Sequence, residues 1–476
     1  MSFDLPFMLP DGWEVKTVEQ LIKDKIIEKP LDGNHGGIHP KSSDYVSKGI
    51  PFVMASDLHA GRVDLSDCKF ITEKQANSLR KGFSKAGDVL ISHKATIGRT
   101  AIVQKNDYPY IILTPQVTYY RIIDNEKLSN VYLKSYFDSP FFQSLLALWA
   151  GSGSTRAYLG ITGQLKLPVI VPPIDSQKFI AKHIFTLNEK IQVNTKTNQT
   201  LEQIAQAVFK SWFIDFDQVK AKIETLAAGG SDEDAELAAM SVISAKTIDE
   251  LNSLKASNPE VFNKLQQTAA LFPAAMQDTE HGEIPEGWEV KQLSEICQVI
   301  NGRAYKNTEF KTEGTPIVRI QNLSNGGKTV YSDLELPPEK YIDREDFIYA
   351  WSATFGPHIW RGPKSIYHYH IWKMEVDESV ISRYFLYLSM FRKTEAMKNA
   401  GTGSIFTHLT KKIMESQQIL VGDQTINTKF SDIIVPIFNK ISLLKEESSY
   451  LAGIRDALLP KLLTGDDLTS EADNAQ

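Results

Sequence analysis

The sequence predicts an α/β chain of the α+β type. Two similar mixed strand/helix domains are separated by two long helices that form an antiparallel coiled coil. Three observations predict this architecture: a motif that occurs twice, further matches that follow it in the same order, and two stretches with heptad spacing. The chain has 476 residues, of which 42% are hydrophobic and 23% are charged. This composition is typical of globular proteins with sizeable cores.

The repeated motif is Pro-x-Gly-Trp-Glu-Val-Lys, at 10–16 and again at 285–291. Pairs of similar segments follow the two copies in order: GIPFVMASDL with GTPIVRIQNL, GDVLISHKATIGRTAIV with REDFIYAWSATFGPHIW, and AGSGSTRAYL with AGTGSIFTHL. The offset between the copies falls from 275 to 250 residues along the chain, so the copies differ by insertions in loops. Self-similarity of this kind indicates one module of roughly 200 residues that is used twice.

The first part of each module, 9–149 and 284–399, is predicted to mix strands and helices. Short β-branched and aromatic runs (IPFVMA, GDVLIS, RTAIVQ, YIILTPQVTYYRI) stand between Gly, Asp and Pro residues, which is typical of strands. The segment 130–150 has helical spacing instead.

The second part of each module is predicted to be one long helix. Apolar residues alternate at spacings of four and three, which is the heptad pattern of coiled coils. About 35 residues at ~1.5 Å each make a rod of roughly 50 Å. Equal length, register and placement favour pairing of the two helices with each other over two unrelated core helices. An antiparallel pair would hold the globular parts at opposite ends. The predicted seam residues are Ile184, Leu187, Ile191, Leu201, Ile434, Ile437, Ile441 and Leu451.

The charge pattern separates an acidic connector from the rest of the chain. Residues 223–260 contain eight acidic and two basic side chains, and this difference equals the whole net charge of −6. The stretch LAAGGSDEDAELAAM inside it is typical of a linker. Residues 291–328 contain six basic and three acidic side chains, and such local positive charge permits binding to a nucleic acid. The predicted segments are a first domain 1–149, a first spacer helix region 150–217, an acidic connector with a helix 218–283, a second domain 284–399, a second spacer helix region 400–466 and an acidic tail 467–476.

The sequence lacks the patterns of catalysis and of metal binding. There is no Gly-x-Gly-x-x-Gly after a strand, no Walker lysine and no Asn/Asp-Pro-Pro-Tyr/Phe motif. The residues 368–370, His-Tyr-His, would place two imidazoles on one face of a strand, but no further ligands follow at metal-site spacing. A half-buried aromatic strand is the alternative interpretation, and no metal site is predicted.

Two cysteines are too few for a disulfide framework or a four-cysteine zinc site. The start has no signal-peptide pattern, and no apolar run approaches the ~20 residues of a membrane span. A cytoplasmic protein that does not bind membranes is expected.

These motifs resemble the specificity subunits of type I restriction–modification systems over nearly the whole chain. The two Pro-x-Gly-Trp-x-x-Lys copies are similar to the start of each target recognition domain in that family. The segments 201–222 (LEQIAQAVFKSWFIDFDQVKAK) and 457–466 (ALLPKLLTGD) are similar to the ends of its two spacer regions. The segment 271–288 (LFPAAMQDTEHGEIPEGW) is similar to the bridge into the second recognition domain.

The resemblance implies a sequence-specific DNA-binding subunit that has no catalysis of its own. Each recognition domain would read one half of a bipartite, asymmetric target in double-stranded DNA, and the coiled coil would set the gap. The subunit would sit between two modification (adenine methyltransferase) subunits, and restriction (translocase/endonuclease) subunits would join them. S-adenosylmethionine, ATP and Mg are expected on those partners, and no cofactor is expected in this chain.

Three pairs of loops are candidates for the DNA-reading surface: 32–37 with 301–306, 92–99 with 350–358, and 151–156 with 401–406. Base edges are read by hydrogen-bonding side chains, whereas phosphate contacts only position the protein. Loop residues that differ between the copies are therefore the predicted readers. The predicted DNA-binding residues are Asn34, His35, Lys94, Arg99, Thr155 and Arg156 in the first domain, and Arg303, Lys306, Ser352 and His358 in the second, with Arg319 and Arg361 assigned to phosphate.

Two other functions stay open on the residues alone. A nuclease of a defence system would need a Pro-Asp…Asp/Glu-x-Lys-like cluster or a methyltransferase motif, and neither is convincing here. A non-catalytic, two-headed scaffold that binds protein partners is compatible with the same aromatic, glycine-rich loops. Composition does not separate that scaffold from a DNA reader.

Overall fold

The computed structural model describes residues 8–151, 157–280, 282–324, 328–352, 355–399 and 409–464. The chain divides into two compact units. One is formed by the described parts of Met1–Thr195 and Glu446–Gln476, and the other by those of Lys196–Lys445. Each unit contains one mixed strand/helix domain together with a part of both long helices.

The domain of the first unit is built on two sheets. Its strands are β1 (Glu14–Thr17), β2 (Leu31–Asp32), β3 (Ile50–Val53), β4 (Leu58–His59), β5 (Gly61–Val63), β6 (Lys69–Ile71), β7 (Phe83–Ser84), β8 (Val89–Lys94), β9 (Thr96–Ile102), β10 (Ile111–Leu113), β11 (Val117–Tyr120) and β12 (Pro168–Val171). One sheet has the order β6-β3-β10-β7, the other has the order β2-β11-β8-β9-β5-β4, and β1 pairs with β12. The predicted strand runs are confirmed.

The helices of this domain are short and lead into the first long helix. They are α1 (Val18–Lys23), α2 (Glu73–Ser78), α3 (Asn130–Asp138), α4 (Pro140–Trp149) and α5 (Ile161–Gln164), and then α6 (Ile174–Phe213). The segment 130–150 is helical, as its spacing predicts, and it is divided into the two helices α3 and α4. The Ser139 hydroxyl accepts a hydrogen bond from the Phe142 N–H at 3.2 Å, and Pro140 takes the first helical position. Serine as N-cap followed by proline is a strong start signal for a new helix.

The acidic connector, for which the sequence predicts a helix, is a small helical bundle, and the stretch 226–240, which is typical of a linker, contains the first part of one of its helices. It contains α7 (Asp217–Ala227), α8 (Asp232–Ser244), α9 (Ile248–Ser257) and α10 (Pro259–Ala270). The acidic residues start α8, because Ser231 and Asp234 form a reciprocal capping box and carboxylates favour the positive end of a helix dipole. Buried side chains give the bundle a core, formed by Ala239, Met240, Leu251, Phe262 and Ala269.

The domain of the second unit repeats the plan of the first. Its strands are β13 (Met276–Thr279), β14 (Gly282–Pro285), β15 (Glu289–Gln292), β16 (Cys297–Asn301), β17 (Thr315–Val318), β18 (Val330–Ser332), β19 (Tyr341–Ile342), β20 (Phe347–Ala350), β21 (Gly356–Ile359), β22 (Ser365–Tyr367), β23 (Ile371–Val376) and β24 (Gln418–Val421). Its helices are α11 (Leu293–Ile296), α12 (Ile320–Ser324), α13 (Arg383–Asn399) and α14 (Lys411–Glu415), and α15 (Gln424–Thr464) follows.

The sheet orders confirm the duplication. The sheet β18-β17-β22-β19 corresponds to β6-β3-β10-β7, and β16-β23-β20-β21 corresponds to β2-β11-β8-β9. The parallel pair β17/β22 matches β3/β10, and the pair β15/β24 matches β1/β12. The first domain differs by the additional edge strands β5 and β4.

The repeated motif forms the same tight turn in both copies. Gly12 and Gly287 have φ values of 81° and 79°, which only glycine adopts without strain. In each copy the tryptophan N–H donates to the proline carbonyl oxygen three residues earlier, at 3.2 and 3.1 Å. The turn ends at β1 or β15, so the motif marks the entrance of each domain.

The two long helices run antiparallel within each unit. In the first unit Arg455 of α15 donates to the Asn188 side chain of α6 at 3.0 Å. The Asn194 amide donates to Glu447 at 2.8 Å, so numbers rise on one helix as they fall on the other. The coiled coil is therefore confirmed. Of the predicted seam residues, Ile184, Ile434 and Ile441 are buried, and Leu187, Ile191, Leu201, Ile437 and Leu451 are partly buried.

An aromatic hub holds the core of the second unit. Phe213, near the end of α6, has ring centroids 5.0 Å from Phe430, 4.8 Å from Phe385 and 5.2 Å from Trp288. These partners come from α15, α13 and the repeated motif. Aromatic pairs at such distances are worth more than their buried area alone. Among the described residues, no helix is both long enough and apolar enough to cross a membrane.

Candidate nucleic-acid interface

One glycine in each domain brings two loops into contact beside the central strands. A Cβ atom on Gly33 would overlap the carbonyl oxygen of Leu113, and one on Gly302 would overlap that of His368. Only glycine permits such a close approach of two backbones. Loop 32–37 therefore lies against the turn after β10, and loop 301–306 lies against the turn after β22.

In the first domain a buried carboxylate organises the predicted loop 32–37. The side chain of Asp32 is 3% exposed and contacts His35 Nε2 at 2.7 Å and the Lys81 ammonium group. Burial by itself raises the pKa of the Asp32 carboxyl, but hydrogen bonds from Lys81 and His35 outweigh it and bring the pKa below its usual value. His35 remains about half exposed, so it is held in place while a ring edge stays accessible.

Asn34 has a structural position rather than an accessible one. It is 3% exposed. Its amide donates to the Lys81 carbonyl oxygen at 2.6 Å, and its side-chain oxygen accepts from the Arg80 N–H at 3.0 Å. Both ends of the amide are thus used inside the protein. This geometry favours a role for Asn34 in holding the loop and does not favour contact with a base edge.

The hairpin between β8 and β9 presents two of the predicted cations. Lys94 is exposed, and its ammonium nitrogen lies 5.9 Å from the centre of the Tyr158 ring. Arg99 is also exposed, and its guanidinium donates to the Ala55 carbonyl oxygen at 3.0 Å. Ala95 at the hairpin tip has a φ of 64°. The predicted readers Thr155 and Arg156 lie outside the described residues.

His93, the residue before Lys94, connects the hairpin to the rest of the domain. His93 is fully buried, and its Nδ1 donates to the Leu159 carbonyl oxygen at 3.0 Å. Burial lowers the pKa of its imidazole. The pattern of the sequence did not single out His93, because a buried and an exposed histidine look alike there.

In the second domain Arg303 is engaged by an internal carboxylate. Its guanidinium donates to Glu309 at 3.0 and 2.7 Å and lies over the Tyr305 ring at 5.1 Å. The hydrogen bond from Arg303 and one from the Lys306 N–H lower the pKa of Glu309 to about 2. Bidentate pairs of this kind are rigid. The Lys306 side chain is exposed, so of these two predicted readers it is the more accessible.

The turn after β22 carries a cluster of rings, at the place where the sequence predicts no metal site and offers a half-buried aromatic strand as the alternative. His368 continues β22 as a bridge residue opposite Arg303, and Tyr369 and His370 form the turn that follows, so the alternative of an aromatic strand over 368–370 holds only for His368. The ring of His368 lies 4.4 Å from that of Tyr369, and Trp351 lies 5.1 Å from His370. Burial lowers the pKa of both imidazoles. In the part of the chain that the structure describes, no group of three or more His, Cys, Asp or Glu side chains is arranged to hold a metal ion.

Two other predicted readers lie beside this ring cluster in sequence. Ser352 lies two residues after the end of β20 and is partly exposed. His358 lies in β21 opposite Ile348 and is partly buried. Ser352 is thus at a loop, as predicted, whereas His358 belongs to a sheet.

The two arginines assigned to phosphate bind within the protein. Arg319 donates to the Lys328 carbonyl oxygen at 2.8 Å and packs over the Phe310 ring. The Arg361 side chain is 15% exposed and lies 3.5 Å from a Glu345 carboxylate oxygen. These contacts favour structural roles for both arginines. The sequence alone does not show that each side chain has an acceptor within the protein.

Comparison with known proteins supports the duplication and identifies its family. A family model described as the type I restriction modification DNA specificity domain matches residues 10–203 and 285–451. The HindI specificity subunit of Haemophilus influenzae is 31% identical over 430 residues, which cover 84% of this chain and 90% of that protein. The MjaIX specificity subunit of Methanocaldococcus jannaschii is 25% identical over 481 residues, covering 96% of this chain and 94% of that protein.

A solved structure shows a similar extent of coverage. The crystal structure of the type I restriction–modification S subunit from M. genitalium has a TM-score of 0.49 and 14% sequence identity, and covers 97% of this chain and 98% of that one. The family model alone spans more than half of the sequence. The chain therefore belongs to the type I restriction–modification DNA specificity family.

Proposed function

We propose that this chain is the sequence-specific DNA-binding subunit that directs methyltransferase and restriction subunits to a bipartite, asymmetric target. One observation carries the proposal: the same arrangement of sheets is present twice, and the side chains in the loops at the ends of its strands differ between the two domains. Lys94 at the end of β8 corresponds to Ser352 after β20. The turn 114–116, Thr-Pro-Gln, corresponds to 368–370, His-Tyr-His. Two such surfaces suit the reading of two unrelated half-sites.

The chemistry of the two surfaces supports this assignment. The first offers Lys94, Arg99 and His35, which are donors suited to guanine and to phosphate. The second offers Lys306 and the rings around Tyr369, which suit contact with bases through their faces and edges. The turns 114–116 and 368–370 join the predicted loops as proposed reading elements, because each lies against a predicted loop.

The proposed partners are two adenine methyltransferase subunits and the restriction subunits that join them in the cytoplasm. S-adenosylmethionine, ATP and Mg would bind to those subunits. This chain would supply the choice of target and no catalytic group. Support comes from the specificity subunits to which the chain is similar over most of its length.

Deletion of the gene is expected to remove one methylation motif from the host genome. Methylated adenines would be mapped in cells with the gene intact and deleted. A split motif that disappears on deletion, and returns with the gene on a plasmid, would establish the function. An unchanged pattern, in cells where the methyltransferase subunit is present, would favour a scaffold that binds protein partners.

Lys94→Ala is expected to weaken the reading of one half-site only. Loss of a base contact costs about 1–3 kcal/mol of discrimination. Methylation by the complex would be measured on duplexes with a base changed in either half. Lys306→Ala should affect the other half, and Lys105→Ala, which removes an exposed lysine of the first domain outside the candidate loops, should affect neither. Equal losses at both halves in the Lys94 variant would contradict the assignment.

A further inference from the structure

The turn before β20 holds a non-glycine residue in a left-handed backbone conformation. Glu345 has a φ of 70°, and the corresponding residue of the first domain is Gly87, with a φ of 92°. The two turns share their hydrogen bonds. The Glu345 N–H donates to the Trp360 carbonyl oxygen at 2.7 Å, and the Gly87 N–H donates to that of Val103 at 2.8 Å. The backbone of the turn is thus the same in both domains.

The carbonyl groups of the two turns are also bound alike. The Glu345 carbonyl oxygen accepts from Arg383 at 2.9 Å, and the Gly87 carbonyl oxygen accepts from Asn130 at 3.1 Å. Arg383 and Asn130 both begin the helix that follows the sheets. Glycine takes this conformation freely, whereas glutamate is strained in it. Such strain persists only where surrounding contacts enforce it.

The Glu345 side chain supplies those contacts. Its carboxylate accepts hydrogen bonds from the Ser442 hydroxyl and, at 2.9 Å, from the Tyr384 hydroxyl. Ser442 belongs to α15 and is 6% exposed. The neighbouring Arg344 donates to the carbonyl and hydroxyl oxygens of Ser442 at 3.2 and 3.1 Å. Two consecutive residues of the domain thus grip one residue of the long helix.

The first domain lacks this grip, because Gly87 has no side chain. Besides the buried core that it shares with Ile180 and Ile184 of α6, its polar contact with that helix near β5 is an ion pair between Arg62 and Glu189, both more than a third exposed. An exposed pair of this kind contributes little. The two domains therefore make different polar contacts with the long helices. Of these contacts, the one in the second domain involves a strained turn.

We propose that Glu345 is a positioning residue that fixes the angle of the second domain on α15 and so restricts the gap between the half-sites. This inference rests on the proposed function. One added base pair moves a half-site by about 3.4 Å and turns it by about 34°. A domain that is free to tilt would accept a second gap, whereas a clamped domain rejects it.

The test maps methylated adenines in cells that carry the methyltransferase subunit with the wild-type chain or a variant. Glu345→Gly removes the carboxylate and relieves the strain, and Ser442→Ala removes its partner in α15. With either variant, we expect methylation of the wild-type motif and, in addition, of the same two half-sites separated by a gap that differs by one base pair. The new sites should reach roughly a tenth of the wild-type level, because losing such hydrogen bonds shifts a two-state population about tenfold.

Glu345→Gln is the matched control, since it keeps the side-chain length and can keep the hydrogen bonds. With Glu345→Gln, methylated half-sites should occur at the wild-type gap only. Methylation at a second gap in this control would contradict the proposed role of Glu345. The inference also fails if cells with Glu345→Gly or Ser442→Ala show methylated half-sites only at the wild-type gap, at any level, or show no methylated sites. Failure of the proposed function looks different, because then the wild-type chain itself would leave the methylation pattern unchanged.

Discussion

Phe213→Ala is expected to lower the free energy of unfolding of the second unit by about 3–5 kcal/mol. The Phe213 ring is 2% exposed and contacts rings from α13, α15 and the motif that opens the second domain. Alanine would leave a cavity where these elements meet, so the loss combines buried area with aromatic contacts.

Urea unfolding followed by tryptophan fluorescence measures this effect. Five of the seven tryptophans lie within 196–445, so the signal reports mainly on the second unit. Ile204→Ala is the matched control, because Ile204 lies on the same helix and is 44% exposed. It should change stability by less than about 0.5 kcal/mol. Equal effects of the two substitutions would show that the hub does not hold the unit together.

Asp88→Asn is expected to destabilise the first domain by about 3–5 kcal/mol. The Asp88 carboxylate is 2% exposed and accepts two hydrogen bonds from Arg121, both at 2.8 Å. It also accepts from the Ser84 hydroxyl at 2.9 Å and the Lys85 N–H at 2.8 Å. Asparagine would place an N–H donor against one of these donors and would leave the Arg121 charge with only the half-exposed Glu28 carboxylate, 3.1 Å away.

Hydrogen exchange of the first domain would measure this loss. Glu19→Gln is the control, because Glu19 forms only an exposed pair with Lys23 at 3.8 Å, and pairs of that type contribute less than about 1 kcal/mol. The corresponding Asp346 of the second domain has a longer contact, 3.3 Å to Lys373. Asp346→Asn should therefore cost less than Asp88→Asn, and the reverse order would contradict the importance of the bidentate pair.

Periodic and repeated features of the fold could be predicted because they depend on local rules. The heptads of α6 and α15, the strands β8 to β11 and the duplication all follow from spacing or from self-similarity. The division between α3 and α4 at Ser139 also has a local signal in the sequence, which is a capping serine followed by a proline. The acidic connector contains more helix than the one that the sequence predicts, because glycines and acidic residues suit a flexible linker and a capped helix start equally well.

The candidate site was less predictable, because a side chain's type does not show where its partner lies. The sequence predicts that Asn34 and Arg361 contact DNA, yet both side chains are bound inside the protein. His35 and Lys94 are of similar chemistry and remain accessible. The 368–370 turn was recognisable only as an unusual group of rings. Its position beside the 301–306 loop depends on strand pairing over long separations, and no local pattern encodes that.

The division of the long helices has a consequence for the order of folding during synthesis. The second unit is continuous, 196–445, whereas the first needs residues from both ends of the chain. Leu459, Leu462 and Leu463 complete a core that begins with Val18 and Leu21. The domain that leaves the ribosome first is therefore the last to be finished. Until the final turns of α15 emerge, the apolar face around Ile184 stays uncovered, which is the stage most exposed to aggregation and to chaperone binding.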